Sequence, residues 1–266
     1  MQEDVYNNLY KRREYLDIDL PDFKITDREK VVGKKILILG VGTGRDVKYL
    51  ARTNQILGVD SSKNAVNAAR KNGVKAYTAD LGKALKLKSN SYDIVIAKDI
   101  LEHLNNPELL LREIKRVMKD SGYAVISVPN HFFLPFRLRI LFGRNLIWKS
   151  LGHDHTKLFE EWNYMHKVFF TWKGFQKFLK QGGFKITKTF WDFGTLAHYS
   201  QPENVLRYLE QIKDEGLKKT VMLKFGRWSW SLFNLVFPKS LRSRVVAISP
   251  GLMCAGFYVW CKKGVK

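Results

Sequence analysis

Four branched apolar residues, Ile36-Leu-Ile-Leu39, run straight into Gly40-Val-Gly-Thr-Gly44, so glycine takes every second position once the apolar run stops. An apolar run without alternation suits a strand covered on both faces, as in a parallel sheet. The three glycines permit backbone conformations and a close approach that a side chain would forbid. The pair predicts a buried strand and a turn that holds something against its own backbone.

The same grammar repeats along the first half. After the glycines, Asp46 to Ala51 reads as the start of a helix. Gln55–Val59 reads as a second strand ending at Asp60, followed by a helix that Ser61 or Ser62 can cap and Gly73 stops. Val74–Thr78 is a third strand, ending at Ala79-Asp80. Tyr92–Ala97 is a fourth, ending at Lys98-Asp99. Asn106-Pro107 opens a further helix with cap and proline in the expected order, and Tyr123–Val128 is a fifth strand. Strands alternating with helices of this length predict an α/β fold with a mostly parallel sheet, whose ligands bind at the carboxyl ends of the strands. Gly40 to Gly44, Asp60, Asp80 and Asp99 all fall there.

The second half reads differently. Residues 131–170 are basic and aromatic, without an evident strand. Thr171 then caps a helix, WKGFQKFLKQ, that ends in Gly182-Gly183. Phe184–Phe190 and Leu252–Trp260 read as the last two strands. The long stretch between them, with ENVLRYLEQIK and RWSWSLFNLVF, is expected to form an added lobe. From His131 onward there are 23 Lys plus Arg and 8 Asp plus Glu, so 23 − 8 = +15 of the chain's net +21 lies there. Such a balance points to an anionic partner: a membrane surface, nucleic acid or a phosphorylated substrate. The longest uncharged run, Val245–Cys261, is broken by Ser249-Pro250-Gly251 and falls short of the roughly 20 apolar residues of a membrane span. Two cysteines, Cys254 and Cys261, make neither a disulfide framework nor a zinc spacing, and the polar start is unlike a signal peptide. A cytoplasmic chain with a peripheral membrane contact is the expectation.

Which ligand the glycines hold depends on their frame. Dinucleotide sites use G-x-G-x-x-G, whereas this chain has G-x-G-x-G with Arg45 at the third-glycine position. Four segments in order, ILILGVGTGRD, ILGVDSS, AYTADL and SYDIVIAKDILEHLNNPELLLREIKRVMKDSGYAVISVPN, together resemble the class I S-adenosylmethionine-dependent methyltransferases. Within these the chain is similar to the type 11 group that includes ubiquinone-biosynthesis enzymes. The resemblance covers about Val32 to Asn130, with an echo in HKVFFTWKGFQKFLKQGGFKI. It implies a Rossmann-like sheet of seven strands with an inserted basic, aromatic lobe. The corresponding division is an N-terminal helical segment over 1–30 capping the site, a cofactor core over 31–130, and a completing part over 131–266, with insertions at about 131–170 and 191–251.

S-adenosylmethionine carries no phosphate, so the resemblance implies acceptors and close backbone approach where a dinucleotide would want an anion cradle. Asp60 would accept both ribose hydroxyls, and Asp80 the adenine amino group with Leu81 beside the ring. Gly40, Gly42 and Gly44 would lie along the methionine portion, with Ser61 and Ala97 lining the site. The family's acid two residues before the first glycine is replaced here by Ile38, which would shift its task to Asp46 or Asp99.

For the acceptor, His103 in DILEHL and His131 after VPN are the candidate bases, and Asn130 and His166 are expected to face the substrate. His153-Asp154-His155 with His166 lacks a partner at recognised metal spacing, so no metal is assigned. The expected reaction is methyl transfer to a small molecule, a lipid or a lipid-linked glycan, at a hydroxyl. An RNA methyltransferase and a non-catalytic S-adenosylmethionine-binding protein are the alternatives. Against the former, the Asn/Asp-Pro-Pro-aromatic signature is missing after the fourth strand, and neither cysteine follows the fourth or fifth. Nucleic acid is therefore the less favoured partner. For the lipid reading, HFFLPFRLRILFGRNLIWKS and RWSWSLFNLVFPKSLRSR mix large apolar and basic residues as a bilayer interface requires.

Overall fold

The computed structural model describes residues 31–142, 166–192, 249–254 and 256–264, with the single positions Trp228, Ser231, Leu235, Arg244 and Ile248. The segment 1–30, the histidine pair at 153 and 155, and the aromatic-basic segment near 227–244 (those single positions apart) lie outside the described residues.

Seven strands form one sheet: β1 Lys35–Leu39, β2 Gln55–Asp60, β3 Ala76–Thr78, β4 Tyr92–Lys98, β5 Met118–Pro129, β6 Phe184–Asp192 and β7 Gly256–Lys263. Their order is β3-β2-β1-β4-β5-β7-β6. The first five strands run parallel, and β7 is antiparallel to both β5 and β6. The chain therefore reverses direction across the sheet between β1 and β4, the switch point at which such sheets open a crevice.

β1 shows why its apolar run does not alternate. Leu37 and Leu39 enter one core with Val59, Val95, Ala97 and Ile126, while Ile36 and Ile38 enter another with Ile94, Ile96 and Val125. The first core is covered by helices α2, Pro107–Val117, and α4, Trp172–Gln181. Phe175 of α4 and Phe257 of β7 are both fully buried there, and each side chain contributes about 1.5–3 kcal/mol by leaving water. The second core is covered by α1, Lys63–Lys71, through Val66 and Ala69.

The helix caps match the sequence reading. Ser62 accepts from the Ala65 N–H, Asn106 from that of Leu109, and Thr171 from that of Gly174. β3 begins two residues later than expected, at Ala76, β6 runs on to Asp192, and three larger differences follow. After the glycines the chain makes only a 3-10 turn, Lys48–Arg52, which has no side-chain cap at Val47. The Asn54 amide ends it by donating to the carbonyls of Leu50 and Val31. β5 begins at Met118, five residues before the expected Tyr123, because Met118 already pairs with Tyr92 across a shift in register. β7 begins at Gly256, since Pro250–Met253 coils into a single helical turn, α5. One further helix, α3, spans Leu134–Leu141.

The register shift between β4 and β5 depends on Gly122. A Cβ there would stand 2.7 Å from the Asp93 carbonyl oxygen and 3.1 Å from that of Lys119, neither of which can rotate away. Gly122→Ala should lower the stability of the folded chain by about 1–3 kcal/mol, read from its urea denaturation midpoint. An unchanged midpoint would show that β4 moves aside at no cost.

Candidate functional site

Beyond Leu39 the chain turns on Gly40, Gly42 and Gly44, with φ of 77°, 52° and 70°. All three lie in the left-handed region that side chains disfavour. The N–H groups of Gly40 and Val41 both donate to the Val59 carbonyl of β2, at 2.8 and 3.1 Å. Ile100, from the loop after β4, packs onto Gly40 so closely that a Cβ there would overlap its side chain. At the end of β2, Asp60 accepts the Gly42 N–H on Oδ2 and the Ser62 N–H on Oδ1, each at 2.9 Å. Burial pushes the Asp60 carboxyl up from the usual range, and hydrogen bonds from the Ser62, Gly42 and Ser61 backbones pull it partly back. The carboxylate is thus fixed in place with acceptor capacity to spare on each oxygen.

The neighbouring strand ends complete this half. Asp80 accepts the Gly82 N–H at 2.8 Å and pairs with exposed Lys83, while Leu81 beside it is buried. Ala97 is fully buried in β4. Asp46 is engaged by Lys98 at 3.3 Å. Asp99 has a φ of 50°, and its carboxylate accepts the Ser127 hydroxyl at 2.8 Å while its N–H donates to the Ser127 carbonyl at 3.1 Å. Lys98 and Ser127 were not singled out from sequence, because the pairings join strand ends far apart in the chain.

A second group of side chains stands over β4 and β5. The 3-10 turn Leu101–His103 follows β4, and the Glu102 carbonyl accepts the N–H groups of Lys167 and Val168 at 2.7 and 3.1 Å. Those two bonds bring His166 against His103, with ring centroids 4.6 Å apart. His131, just after β5, meets His166 edge-on at 4.7 Å, and its Nε2 is hydrogen-bonded to His166 Nδ1. Burial, and then the neighbouring histidines, hold His131 down to about 4 and His166 down to about 2. Both imidazoles are therefore neutral at pH 7.

Glu102 lies fully buried within this group. Neither carboxylate oxygen has a hydrogen-bond partner among the described residues, and His103 Nε2 is 3.8 Å from Oε1. Burial, reinforced by Asp99, pushes its carboxyl well above the usual range. Glu102, His103 and His166 each offer a ligand atom, all within 4.8 Å of one another, so these three could hold a metal ion. The sequence reading assigned no metal and passed over Glu102. The available signal was an acid set among Ile100, Leu101 and Leu104, where a solvated surface would carry none.

Asn130 requires a correction. It is fully buried, its amide donates to the carbonyls of Gly251 and Cys254, and its Oδ1 accepts the Phe132 N–H. Both N–H donors are spent on tying β5 to the turn before β7, so Asn130 is a strut of the fold and not a group aimed at an acceptor.

Comparison with known proteins bears on the family and the fold that carry these residues. The family model of a methyltransferase domain matches residues 37–126. An uncharacterized protein of Methanocaldococcus jannaschii is 30% identical over 193 residues, covering 70% of this chain and 74% of that one. A ubiquinone biosynthesis O-methyltransferase of Vibrio campbellii is 25% identical over 145 residues, covering 51% of this chain and 62% of the enzyme's own length. In structure, a methyltransferase of Thermotoga maritima superposes with a TM-score of 0.57 at 15% identity, covering 98% of this chain and 99% of its own, a likeness of fold. This chain belongs to the class I S-adenosylmethionine-dependent methyltransferases, in the type 11 subgroup.

The cofactor of this methyltransferase is S-adenosylmethionine. The donor set fits it: a carboxylate fixed at the end of β2, a glycine turn pressed against it, and a second acid after β3. Ile38, where the family carries an acid, is 97% buried in the second core and cannot reach a ligand. Asp60→Ala should weaken S-adenosylmethionine binding at least about tenfold by calorimetry, since each charge-assisted bond lost contributes about 1.5–3 kcal/mol. Because burial raises the Asp60 pKa, affinity should also begin to fall at a higher pH than an ordinary aspartate would allow as the solution is acidified. Unchanged affinity in a folded Asp60→Ala variant would put the ribose elsewhere.

Proposed function

We propose that this methyltransferase transfers the methyl group to a hydroxyl of a small molecule, a lipid or a lipid-linked glycan, with the acceptor over the carboxyl ends of β4 and β5. One observation carries the reading. The acids at the ends of β2 and β3 and the glycine turn lie on one side of the switch point, and His103, His131 and His166 cluster on the other. S-adenosylmethionine supplies an already electrophilic sulfonium methyl, so the protein's task is alignment and exclusion of water, effects that reach roughly 7–11 kcal/mol. A hydroxyl acceptor also has a proton to lose, and help with that proton adds about 10²–10⁴-fold. Of the three imidazoles, His103 is the best placed to act on it: its side chain keeps 20% exposure, whereas His131 is buried and depressed to about 4. Oxygen as the acceptor atom is further supported by the names of the ubiquinone biosynthesis O-methyltransferases among its relatives.

The lipid-borne form of the acceptor is supported by α3. Leu141 and Phe142 are 75% and 73% exposed, Leu138 and Ile140 nearly half so, and residues 131–142 contain no acid but include Arg137 and Arg139. Among the described residues no helix is long and apolar enough to cross a membrane. An anionic bilayer surface suits such a helix, with apolar residues entering the interface and arginines meeting headgroups.

His103→Ala should lower turnover about 10²-fold or more on a hydroxyl acceptor found by profiling extracts with methyl-labelled cofactor, while calorimetric affinity for S-adenosylmethionine stays within about twofold. A variant as fast as the parent would remove His103 from the chemistry. No labelled product in any extract would favour the non-catalytic alternative. Separately, the protein should co-sediment with anionic vesicles, with binding reduced but not abolished at high salt, because salt screens charge and leaves apolar insertion intact. RNA binding without vesicle binding would favour the nucleic-acid alternative.

A further inference from the structure

We propose that Glu102, His103 and His166 form the binding site of one divalent transition-metal ion. Their ligand atoms already converge to within 4.8 Å of one another. An ion bound at about 2.1 Å draws its ligands to no more than about 4.2 Å apart, so side-chain movements on the order of an ångström would close the set.

The converging geometry does not stand alone. Glu102 is fully buried with neither oxygen hydrogen-bonded among the described residues. A buried carboxylate is ordinarily paired, hydrogen-bonded or coordinated to a metal. Its own backbone carbonyl holds Lys167 and Val168, so the turn that carries Glu102 and His103 is tied to the segment that carries His166. The set is thus positioned by main chain as well as by side-chain packing. His131 supplies the outer support usual for a ligating imidazole: its Nε2 is hydrogen-bonded to His166 Nδ1, and with Nδ1 as the donor the other ring nitrogen of His166 would be the one to ligate.

Two imidazole nitrogens and one carboxylate oxygen select a mid-series ion such as zinc, cobalt or manganese over magnesium or calcium, which favour all-oxygen shells. Three protein ligands leave positions open, as catalytic sites do. The site deepens the reading of a hydroxyl acceptor, on which its use rests. With the ion bound, an acceptor oxygen in an open position would be oriented and made more acidic, its proton passing to solvent as the methyl moves from sulfur to oxygen, and His103 would act on that proton through the ion in place of taking it itself.

The test uses the full chain with no histidine tag. After chelator treatment the protein is titrated with cobalt(II), followed by the visible ligand-field bands, and with zinc(II) and magnesium(II) by calorimetry. The expected result is one cobalt or zinc ion per chain. Glu102→Gln and His166→Ala should each weaken that binding about tenfold or more, while S-adenosylmethionine affinity and the circular dichroism spectrum are retained; His131→Ala should weaken it less. Should Glu102→Gln fail to fold, His166→Ala and His103→Ala carry the same comparison. No uptake of cobalt or zinc by the folded parent, uptake indifferent to all of these substitutions, or binding of magnesium alone would overturn the proposal. Metal uptake without methyl transfer would instead count against the hydroxyl-acceptor reading and leave the ion site standing.

Discussion

Two backbone N–H groups, from Gly42 and Ser62, end on the single carboxylate of Asp60. Through them the turn after β1 and the start of α1 are held at one point, and that point is the end of β2. In this arrangement Gly42 is left-handed as its N–H meets Oδ2, and Ser62 is extended before the helix it caps. It also keeps a charged group in a mostly buried place by satisfying it with donors, which is the condition for burying a carboxylate at tolerable cost. A ligand that donates to the remaining lone pairs meets a site already assembled, so little ordering is left for binding to oppose.

The two-sided burial of β1 explains why the site opens where it does. With Leu37 and Leu39 in one core and Ile36 and Ile38 in the other, β1 has no exposed face, and its only route to a ligand is its end. β2 departs to one side and β4 to the other. The acids Asp60 and Asp80 come from the β2 and β3 side, and the histidines and Glu102 come from β4, β5 and the segment before α4. Ile100 crosses between the two groups by packing on Gly40. The same glycine therefore serves the cofactor turn and seats the loop that carries Glu102 and His103.

What was legible in the sequence was whatever is encoded locally. The existence and order of the strands, the Ser62, Asn106 and Thr171 caps and the glycine turn are each specified by residues within a few positions of one another, and these stand as read. The start of β5 was misplaced because Met118 joins the sheet by pairing with Tyr92, a partner 26 positions away. The role of Asn130 was misjudged for the same reason: its partners, Gly251 and Cys254, are more than 120 residues distant. Glu102 reads in sequence as an ordinary acid in a helical turn. Only the approach of Lys167 and Val168 from another part of the fold buries it and makes its lack of partners informative.

The substitution of Ile38 for an acid can be understood from charge placement. An acid at that position would have to leave the second core, where Ile38 packs with Ile36, Ile94 and Ile96, and take a desolvated charge toward the cofactor. In this chain negative charge near the crevice is instead supplied from the surface side. Asp46 is steadied by Lys98, and Asp99 by Ser127. The first pair is partly neutralised, so it offers a weaker field than a lone acid would. Asp99, which accepts the Ser127 hydroxyl, stands three residues before Glu102. That proximity helps push the Glu102 carboxyl upward, because two acids so near one another resist sharing a second negative charge. A cation placed between the two halves of the crevice would relieve both. The sulfonium of the cofactor carries one positive charge and an ion at the histidine cluster would carry two, so with both bound the acids on either side of the switch point would each face a ligand of opposite charge.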